Sequence, residues 1–312
     1  MAHTSGSINL SASRDDIITE ALEMLGVLAE GTSPSAAQLT SCSRTLNYMM
    51  KSWQADGINL FAIQLVYLFL IKNQSSYSLL GTTTDHYTAS FVETTTSAAA
   101  SSGASTIVVT SATGISASDK IGVYQDSTMH WTTVNGAPSG STITLTAALT
   151  ADVASGAVVY AYTSKAKRPM RVLESVVHDV NSNDTPIHVG SREEYFNQSN
   201  KGTDSRVNTI YYDPQVETPK LYVWPQTEDE RHYLKLYVQR TLDDVDSAVN
   251  EVDFPQEWYL PLATNLAVLL GSKYGKSLNS LAALSAMADR EYNRVMGFDT
   301  ESVSIFLAPS RG

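Results

Sequence analysis

Apolar residues recur at helical spacing from Asp253 to Tyr274, and the rest of the chain is organised around this stretch. Asp253 stands three residues before Gln256, the spacing of a capping box, and Gly275 follows as a left-handed stop. Pro261 removes a backbone donor, so the pattern predicts a kink or a late helix start there. Because the helix is apolar over a wide face, it needs partners from elsewhere in the chain.

Further helices supply those partners. From Ser13 the pattern turns helical, with acidic residues near the helix start, and Ser33 and Pro34 open a second helix that ends near Gly57. The last helix covers Leu278–Met296. The methionine and tryptophan stripe is interpreted as core packing and not as a cofactor site. The predicted core of this helical body consists of Leu22, Leu25, Leu46, Met49, Trp53, Trp258, Leu262, Leu266 and Leu269.

Between residues 85 and 164 short β-branched runs alternate with glycine-containing turns, which predicts an inserted all-β domain. The runs Thr106–Thr110 and Thr142–Thr146 begin two copies of one pattern, in which Val123 and Tyr124 match Val159 and Tyr160. Two copies are too few for a solenoid. A pseudo-symmetric sandwich or barrel fits this internal repeat better.

After the insertion the pattern predicts more strands and one short helix. Ser191 and Glu194 form a capping box, and the predicted strands are Met170–Val177, Val207–Tyr212, Lys220–Trp224 and His232–Gln239. The predicted fold class is α+β: a helical bundle body with a small antiparallel β region and an inserted all-β domain, sandwich or barrel-like. The predicted bounds are 1–12 for an N-terminal arm, 13–84 and 165–297 for the two parts of the body, 85–164 for the insertion and 298–312 for a C-terminal arm.

Composition and charge narrow the functional classes. The 312 residues include 21 basic and 32 acidic side chains, and a formal charge of −11 repels a polyanion instead of gripping it. Cys42 is the only cysteine, which excludes an internal disulfide and multi-cysteine metal sites. No signal-peptide pattern and no bilayer-length apolar run occur, so we expect a soluble protein from a reducing compartment, without membrane insertion.

Catalytic chemistry has no clear signature in the sequence. The six histidines stand at no metal-ligand spacing, and no nucleophile elbow, P-loop or dinucleotide-binding pattern occurs. We therefore expect no enzyme, no catalytic residue, no cofactor and no metal. Paired carboxylates such as Glu193 and Glu194 leave a glycan hydrolase open. A sugar-stacking platform stays open for the aromatic residues Tyr211, Tyr212, Tyr222, Trp224, Tyr233 and Tyr237.

Two charged segments each admit two interpretations. The acidic loop Leu242–Asp253 is a solvated connection or, as the second choice, the lining of a lumen. A basic group is either a solvated linker or a docking patch for an acidic neighbour or nucleic acid; it comprises Lys165, Lys167, Arg168 and Arg171.

Four segments together are similar to a known family. They are RDDIITEALEMLGVL (14–28), LNYMMKSWQADGINLFA (46–62), the region 168–225 with RPMRVLE, SREEYF and YYDPQ followed by LYVWP, and VDFPQEWYLPLATNLAVLL (252–270). In this order and spacing the chain resembles the head-to-tail adaptors of short-tailed bacteriophages, also called tail accessory or packaged-DNA stabilisation proteins. The resemblance covers most of the chain outside the insertion, and KSWQADG and DFPQEWY are its most specific parts.

The resemblance implies a structural protein of the virion neck, assembled in the host bacterial cytoplasm. A dodecameric ring of copies would join the portal protein to the tail nozzle or hub protein, seal packaged DNA and line the channel through which DNA leaves without tight binding. The last helix and the C-terminal arm would contact the portal through Leu281, Leu284, Arg290, Arg294, Val303, Ile305, Phe306 and Leu307. The alternatives are a virion-associated peptidoglycan hydrolase, or a module whose β insertion binds a glycan or a partner.

Overall fold

Helices and strands divide between two compact units. The computed structural model describes residues 7–8, 10–57, 60–80 and 85–298, so most of both predicted arms lies outside it. One unit comprises Met1–Ala62 and Leu242–Gly312, and the other comprises Ile63–Thr241. The helices are α1 (Arg14–Met24), α2 (Ala36–Asp56), α3 (Arg192–Phe196), α4 (Tyr259–Lys273) and α5 (Leu278–Phe298). The strands are β1 (Ile63–Phe69), β2 (Ser76–Ser78), β3 (Tyr87–Thr88), β4 (Val92–Thr95), β5 (Thr106–Val108), β6 (Lys120–Gln125), β7 (Thr128–Thr133), β8 (Thr142–Thr144), β9 (Val158–Tyr162), β10 (Pro169–His178), β11 (Asp184–Val189), β12 (Thr209–Asp213), β13 (Lys220–Trp224) and β14 (Tyr233–Arg240).

Serine caps begin the first two helices. The Ser13 hydroxyl accepts a hydrogen bond from the backbone N–H of Asp16, whose carboxylate accepts one from the backbone N–H of Ser13. Ser35 and Gln38 form the same capping box at α2. Helix α2 therefore begins after Ser35 and not at the predicted Ser33, because only Ser35 has a glutamine three residues later to complete the box.

Helix α4 begins late, as Pro261 predicts. Residues Gln256–Trp258 form one turn of 3-10 helix without a side-chain cap, so the capping box predicted at Asp253 does not form. The Asp253 carboxylate instead accepts a hydrogen bond from the backbone N–H of Asp243 at 3.1 Å. The α-helix starts at Tyr259, which places Pro261 in the first turn, where its missing N–H leaves no bond unmade.

Helix α4 ends in the predicted left-handed stop. Gly275 has a φ of +67°, and the backbone N–H of Lys276 donates to the carbonyl of Gly271 at 3.0 Å, as in a Schellman motif. The turn leads directly into α5, which returns alongside α4. The two helices approach so closely that a Cβ atom added at Gly271 would lie 2.5 Å from Cδ1 of Leu281.

One hydrophobic core joins α1, α2, α4 and α5. The Trp258 ring lies at its centre, with centroid distances of 5.8 Å to Trp53 and 6.0 Å to Tyr292. The predicted core residues Leu22, Leu25, Leu46, Met49, Trp258, Leu262 and Leu266 are buried there, and Trp53 is half-buried. Leu269 is 47% exposed, which corrects its assignment to the core. The apolar face of α4 extends beyond the strip through Leu262, Leu266 and Leu270 that its neighbours cover.

The second unit is built on an eight-stranded sheet with the order β2-β13-β12-β11-β10-β14-β1-β3. Neighbouring strands are antiparallel except β11 and β12. In β1, Val66 and Leu68 join the core of this sheet, while Tyr67 and Phe69 belong to an aromatic cluster. Because side chains alternate between the two faces of a strand, β1 is covered on both faces. Its nearly continuous apolar sequence reflects this double burial.

The predicted fold class is wrong, because the β structure is not a small addition to a helical bundle. Residues 63–80 and 165–241 were assigned to the two parts of the body, with only a small β region, yet they supply seven of the eight strands of the large sheet, and β3 comes from the predicted insertion. Apart from the short α3, the described helices lie in 10–57 and 259–298. Strand partners are far apart in sequence, so local patterns find single strands without showing that they join one sheet.

Residues 92–162 form two smaller sheets with an internal two-fold relation. A four-stranded sheet has the order β4-β9-β6-β7, and β5 pairs with β8. Ile107 pairs with Ile143, and Val123 pairs with Val159. These are the residues that match in the sequence repeat, so each lies opposite its own copy, as expected on a two-fold axis. The two copies share a single apolar core.

Substitution of Gly271 by alanine tests the close crossing of α4 and α5. The added Cβ atom would overlap Leu281, and overpacking outweighs the gain in helix propensity, so we expect the free energy of unfolding to fall by about 1 kcal/mol. The matched control is Gly297→Ala in α5, where an added Cβ atom has no neighbour within 4 Å. Urea denaturation measures both variants. A Gly271→Ala protein as stable as the control would contradict the crossing.

Candidate functional surfaces

Two of the histidines in the described ranges, His178 and His188, each lie beside one carboxylate. Within those ranges no group of three histidine, cysteine, aspartate or glutamate side chains is placed to hold a metal ion. Nδ1 of His178 lies 2.6 Å from an Asp184 oxygen, and Nε2 of His188 lies 3.3 Å from a Glu194 oxygen. Glu194 also completes the capping box of α3 with Ser191. Of the carboxylates considered for glycan cleavage, this one is therefore already bound at a helix start.

A cluster of buried aromatic side chains fixes the insertion to the large sheet. Phe69 and Tyr233 come from the large sheet, and Tyr160 and Tyr162 come from β9 of the insertion. The Tyr160 ring centroid lies 4.9 Å from that of Phe69 and 5.8 Å from that of Tyr233. Aromatic pairs at such distances contribute about 0.5–1.5 kcal/mol each beyond the burial of their area. We refer to these four residues as the aromatic seam.

His86 lies beside the aromatic seam as a buried neutral base. Its ring stacks on Trp131 with a centroid distance of 3.7 Å, and its Nδ1 lies 2.7 Å from the Tyr162 hydroxyl. Burial, followed by the nearby Lys165 and Lys120 charges, lowers the pKa of His86 to about 3. The imidazole is therefore uncharged at neutral pH, and protonating it would place a charge among packed rings.

The turn between β13 and β14 carries a buried carboxylate to the insertion. Glu230 is 5% exposed and accepts hydrogen bonds from the backbone N–H groups of Lys72 at 2.8 Å and Met129 at 2.5 Å. The next residue, Arg231, accepts a hydrogen bond from the Tyr160 hydroxyl on its backbone carbonyl at 2.9 Å. Hydrogen bonds to a charged acceptor are stronger than those between neutral groups. Polar contacts thus add to the aromatic seam in joining the insertion to the sheet.

An open groove of about 880 Å³ lies at this junction, and Tyr124, Asp152 and Arg231 line it. The Arg231 guanidinium stands over the Tyr124 ring, 5.0 Å from its centroid, and bonds both carboxylate oxygens of Asp229. Burial alone would raise the pKa of Asp229, but the hydrogen bonds from Arg231 hold that pKa below its usual value. The aromatic face and the cation that a ligand would use are thus already paired with each other.

Beside α3, the exposed Phe196 and Arg192 lie together with the half-buried Tyr211, Tyr222 and Lys201. Tyr211 and Tyr222 are cross-strand partners whose rings stack with a centroid distance of 5.7 Å. Phe196 is 53% exposed, with Cζ of Arg192 at 5.5 Å and Nζ of Lys201 at 5.7 Å from its ring centroid. We refer to these five residues as the α3 patch.

The six aromatic residues considered as a sugar-stacking platform do not form one surface. Tyr212 is buried and donates its hydroxyl to the carbonyl of Pro169, and Tyr233 belongs to the aromatic seam. Trp224 donates its indole N–H to the carbonyl of Asn200. Only Tyr211 and Tyr222 come together, in the α3 patch. The sequence signal for their new neighbours was the SREEYF capping box, which sets the position of Phe196.

The acidic loop is a fixed connection with an exposed charged side. Leu242 and Val245 are buried in the helical core, and the Asn47 amide bonds both the N–H and the carbonyl of Val245. Asp244 pairs with Lys51 at 3.0 Å, and an ion pair this exposed contributes little. We refer to residues 243–251 as the acidic segment. Its exposed residues include Asp243, Asp244, Asp246 and Val249.

The residues assigned to a portal contact have different surroundings. Leu281 is 9% exposed within the helical core and Leu284 is half-buried against the same core, and their contact with the portal stays a prediction. Helix α5 uses this apolar side to close its own unit. Arg290 and Arg294 are exposed and pair with the buried Glu291 at 3.1 and 3.2 Å. Outside the described residues lie Val303, Ile305, Phe306 and Leu307.

Glu230→Gln tests the polar attachment of the insertion. Glutamine can accept from only one of the two backbone N–H groups, those of Lys72 and Met129, and opposes the other with its own amide N–H. Because one buried donor then has no acceptor, we expect the free energy of unfolding to fall by about 1–3 kcal/mol. The matched control is the exposed neighbour Glu228→Gln, expected to change stability by less than about 0.5 kcal/mol. Chemical denaturation distinguishes them, and equal effects at the two positions would exclude an anchoring role for Glu230.

The pH dependence of stability tests the burial of His86. The folded-state pKa of about 3 lies below the ordinary 6.5, so the unfolded state binds the proton first and stability falls as pH drops between these values. The slope from this residue approaches about 1.4 kcal/mol per pH unit. His86→Phe should flatten the curve, whereas Tyr162→Phe retains the histidine and its slope. Parallel curves for wild type and His86→Phe would contradict a buried neutral imidazole.

None of the described helices combines the length and the apolar content needed to cross a bilayer. Comparison with known proteins identifies no relative: no family model matches the chain, and no curated protein matches it. The likeness to head-to-tail adaptors rests on the four sequence segments, and the function it implies is a proposal.

Proposed function

We propose that this chain is a structural connector of a short-tailed bacteriophage, which forms a ring between the portal and the tail nozzle. The observation that carries the proposal is the common core of the segments that resemble adaptors. The ranges 14–28, 46–62 and 252–270 supply most of one hydrophobic core. The two most specific motifs meet there, with Trp53 and Trp258 rings 5.8 Å apart. Three of the four segments selected by resemblance alone thus share one core, which supports the proposal, while the fourth, 168–225, lies in the other unit.

The charge of the chain also suits a DNA conduit. Each copy has a formal charge of −11. Copies in a ring would add their negative fields, and the wall would repel phosphates. DNA that must leave rapidly needs a wall of this kind, because contacts that neutralise phosphates would hold it in place.

The observations favour neither alternative function. A hydrolase needs a carboxylate free to exchange a proton, whereas Glu194 caps α3 and lies against His188. A glycan site on the insertion needs an open aromatic face, whereas Arg231 covers Tyr124 in the groove. A connector needs neither feature, since it acts through fixed shape and charge.

Binding to the portal tests the proposal. We expect the purified chain to be a monomer by light scattering and to co-sediment with portal rings from the same phage, with a coaxial ring visible by electron microscopy. Serine at all four apolar positions Val303, Ile305, Phe306 and Leu307 should weaken co-sedimentation at least about tenfold, because each buried apolar side chain contributes to binding.

The matched control for that variant is Ser302→Ala with Ser304→Ala, which leaves the apolar residues of the arm in place. We expect it to bind the portal as the wild type does. Thermal melting of all three proteins confirms that the described units remain folded. A wild-type chain that never co-sediments with the portal would overturn the proposed function.

A further inference from the structure

The α3 patch presents positive charge next to one exposed ring, Phe196, and two half-buried rings, Tyr211 and Tyr222. Arg192 and Lys201 have no carboxylate within ion-pair distance in the part of the chain that the structure describes. Lys201 Nζ is held in place by the carbonyls of Phe196 and Gln198, at 3.2 and 3.0 Å. Its ammonium group lies 5.4 Å from the Tyr195 ring as well. The patch therefore combines two positioned cations with an apolar surface that water covers.

The acidic segment has the complementary composition. Asp244 and Asp246 are exposed, and Val249, which is 82% exposed, adds an apolar side chain to the same segment. The segment cannot move freely, because the Ser43 hydroxyl and the Asn47 amide both donate to the carbonyl of Val245. It thus presents carboxylates and one apolar residue in a fixed arrangement, as a ligand for a cationic and aromatic surface would.

We infer that the α3 patch of one copy binds the acidic segment of the next copy in the ring, an inference that rests on the proposed function. Arg192 and Lys201 would face Asp244 and Asp246, and Val249 would cover exposed aromatic surface. Like surfaces cannot pair, because two α3 patches would bring four cations together and two acidic segments would bring carboxylates together. Contact between two different surfaces is heterologous, and repeated heterologous contacts give a ring when the rotation between copies closes, as it would on a portal ring.

The strength of this contact explains when the ring forms. Exposed ion pairs contribute little to affinity, so a single contact between free copies is weak. Copies bound side by side on a portal ring are at a high effective concentration relative to one another. The contact then forms even though its intrinsic affinity is unchanged. The free chain therefore stays monomeric when dilute and associates through this contact when copies are held side by side.

Zero-length carbodiimide cross-linking tests the contact, because the reagent joins an ammonium to a carboxylate only where the two touch. Isotopically light and heavy chains are mixed in equal amounts and cross-linked in two samples, then digested. One sample is the free chain at increasing concentration, and the other is the chain bound to portal rings. We expect light–heavy products that join Lys201 to the acidic segment. The internal control is Lys235, which lies 2.8 Å from Asp184 in its own chain and should give only unmixed products.

Charge reversal provides the second measurement. Arg192→Glu with Lys201→Glu should lower the association constant of concentrated chains by about tenfold or more, as should Asp244→Lys with Asp246→Lys. The protein that carries all four substitutions should regain association and the mixed cross-link. The Lys235 product should stay constant throughout, since it reports an intact fold.

Three outcomes would overturn the inference. The first is portal-bound rings without the mixed Lys201 product, which would leave the proposed function standing. The second is failure of the four-fold variant to regain association. The third is loss of single-stranded DNA binding, without loss of association, on reversal of Arg192 and Lys201. If the chain does not bind the portal, the cross-linking of free chain at high concentration still tests the contact. Absence of the mixed Lys201 product in that experiment overturns the contact as well.

Discussion

The antiparallel pairing of β1 with β14 is the constraint on which both units depend. The chain leaves the helical unit at Ala62 and returns to it at Leu242. Ile63 pairs with Gln239, so the first and last strands of the long excursion lie side by side. Closing so long a loop costs conformational entropy, which the ladder and the double burial of β1 offset. Because β1 and β14 pair, the end of the first piece of the helical unit at Ala62 and the start of the second at Leu242 are held close together.

The β insertion has the same arrangement, because its first and last strands are also paired. The insertion begins with β4 and ends with β9, and these strands also pair, from Val92 opposite Ala161 to Thr95 opposite Val158. Each nested segment thus returns the chain to the place where it left. An architecture of this kind accepts a new domain without disturbing the parent fold, because the ends of the added piece are already close together.

Local features of the fold could be predicted from the sequence, and pairings could not. Ser191, Pro261 and Gly275 act within one turn of their own position, and the structure has the cap, the late start and the stop where the sequence placed them. The size of the large sheet depends on which strands meet, and alternation does not encode partners. Burial of Leu281 and exposure of Leu269 likewise depend on which helix covers which face.

The candidate surfaces show the same division. The acidic segment was visible in the sequence, because adjacent carboxylates need no partner to be recognised. Glu230 was not, because its role arises only when Lys72 and Met129 bring their amides to it from two other loops. The role of Phe196 could not be predicted from the sequence either. Its exposure and its neighbouring cations follow from the placement of α3 against β12 and from the turn that returns Lys201 to the helix end.

Attachment to the large sheet gives the two copies of the repeat different environments. Tyr124 and Tyr160 occupy matching positions, yet Tyr160 is buried in the aromatic seam and donates to the carbonyl of Arg231, while Tyr124 lies under the guanidinium of that same residue. One turn, Asp229–Arg231, therefore breaks the two-fold symmetry. The copy with Tyr160 supplies the aromatic part of the attachment, and β7 supplies the Met129 amide that binds Glu230. The copy with Tyr124 keeps its equivalent surface at the groove, where sequence can change without loosening the insertion.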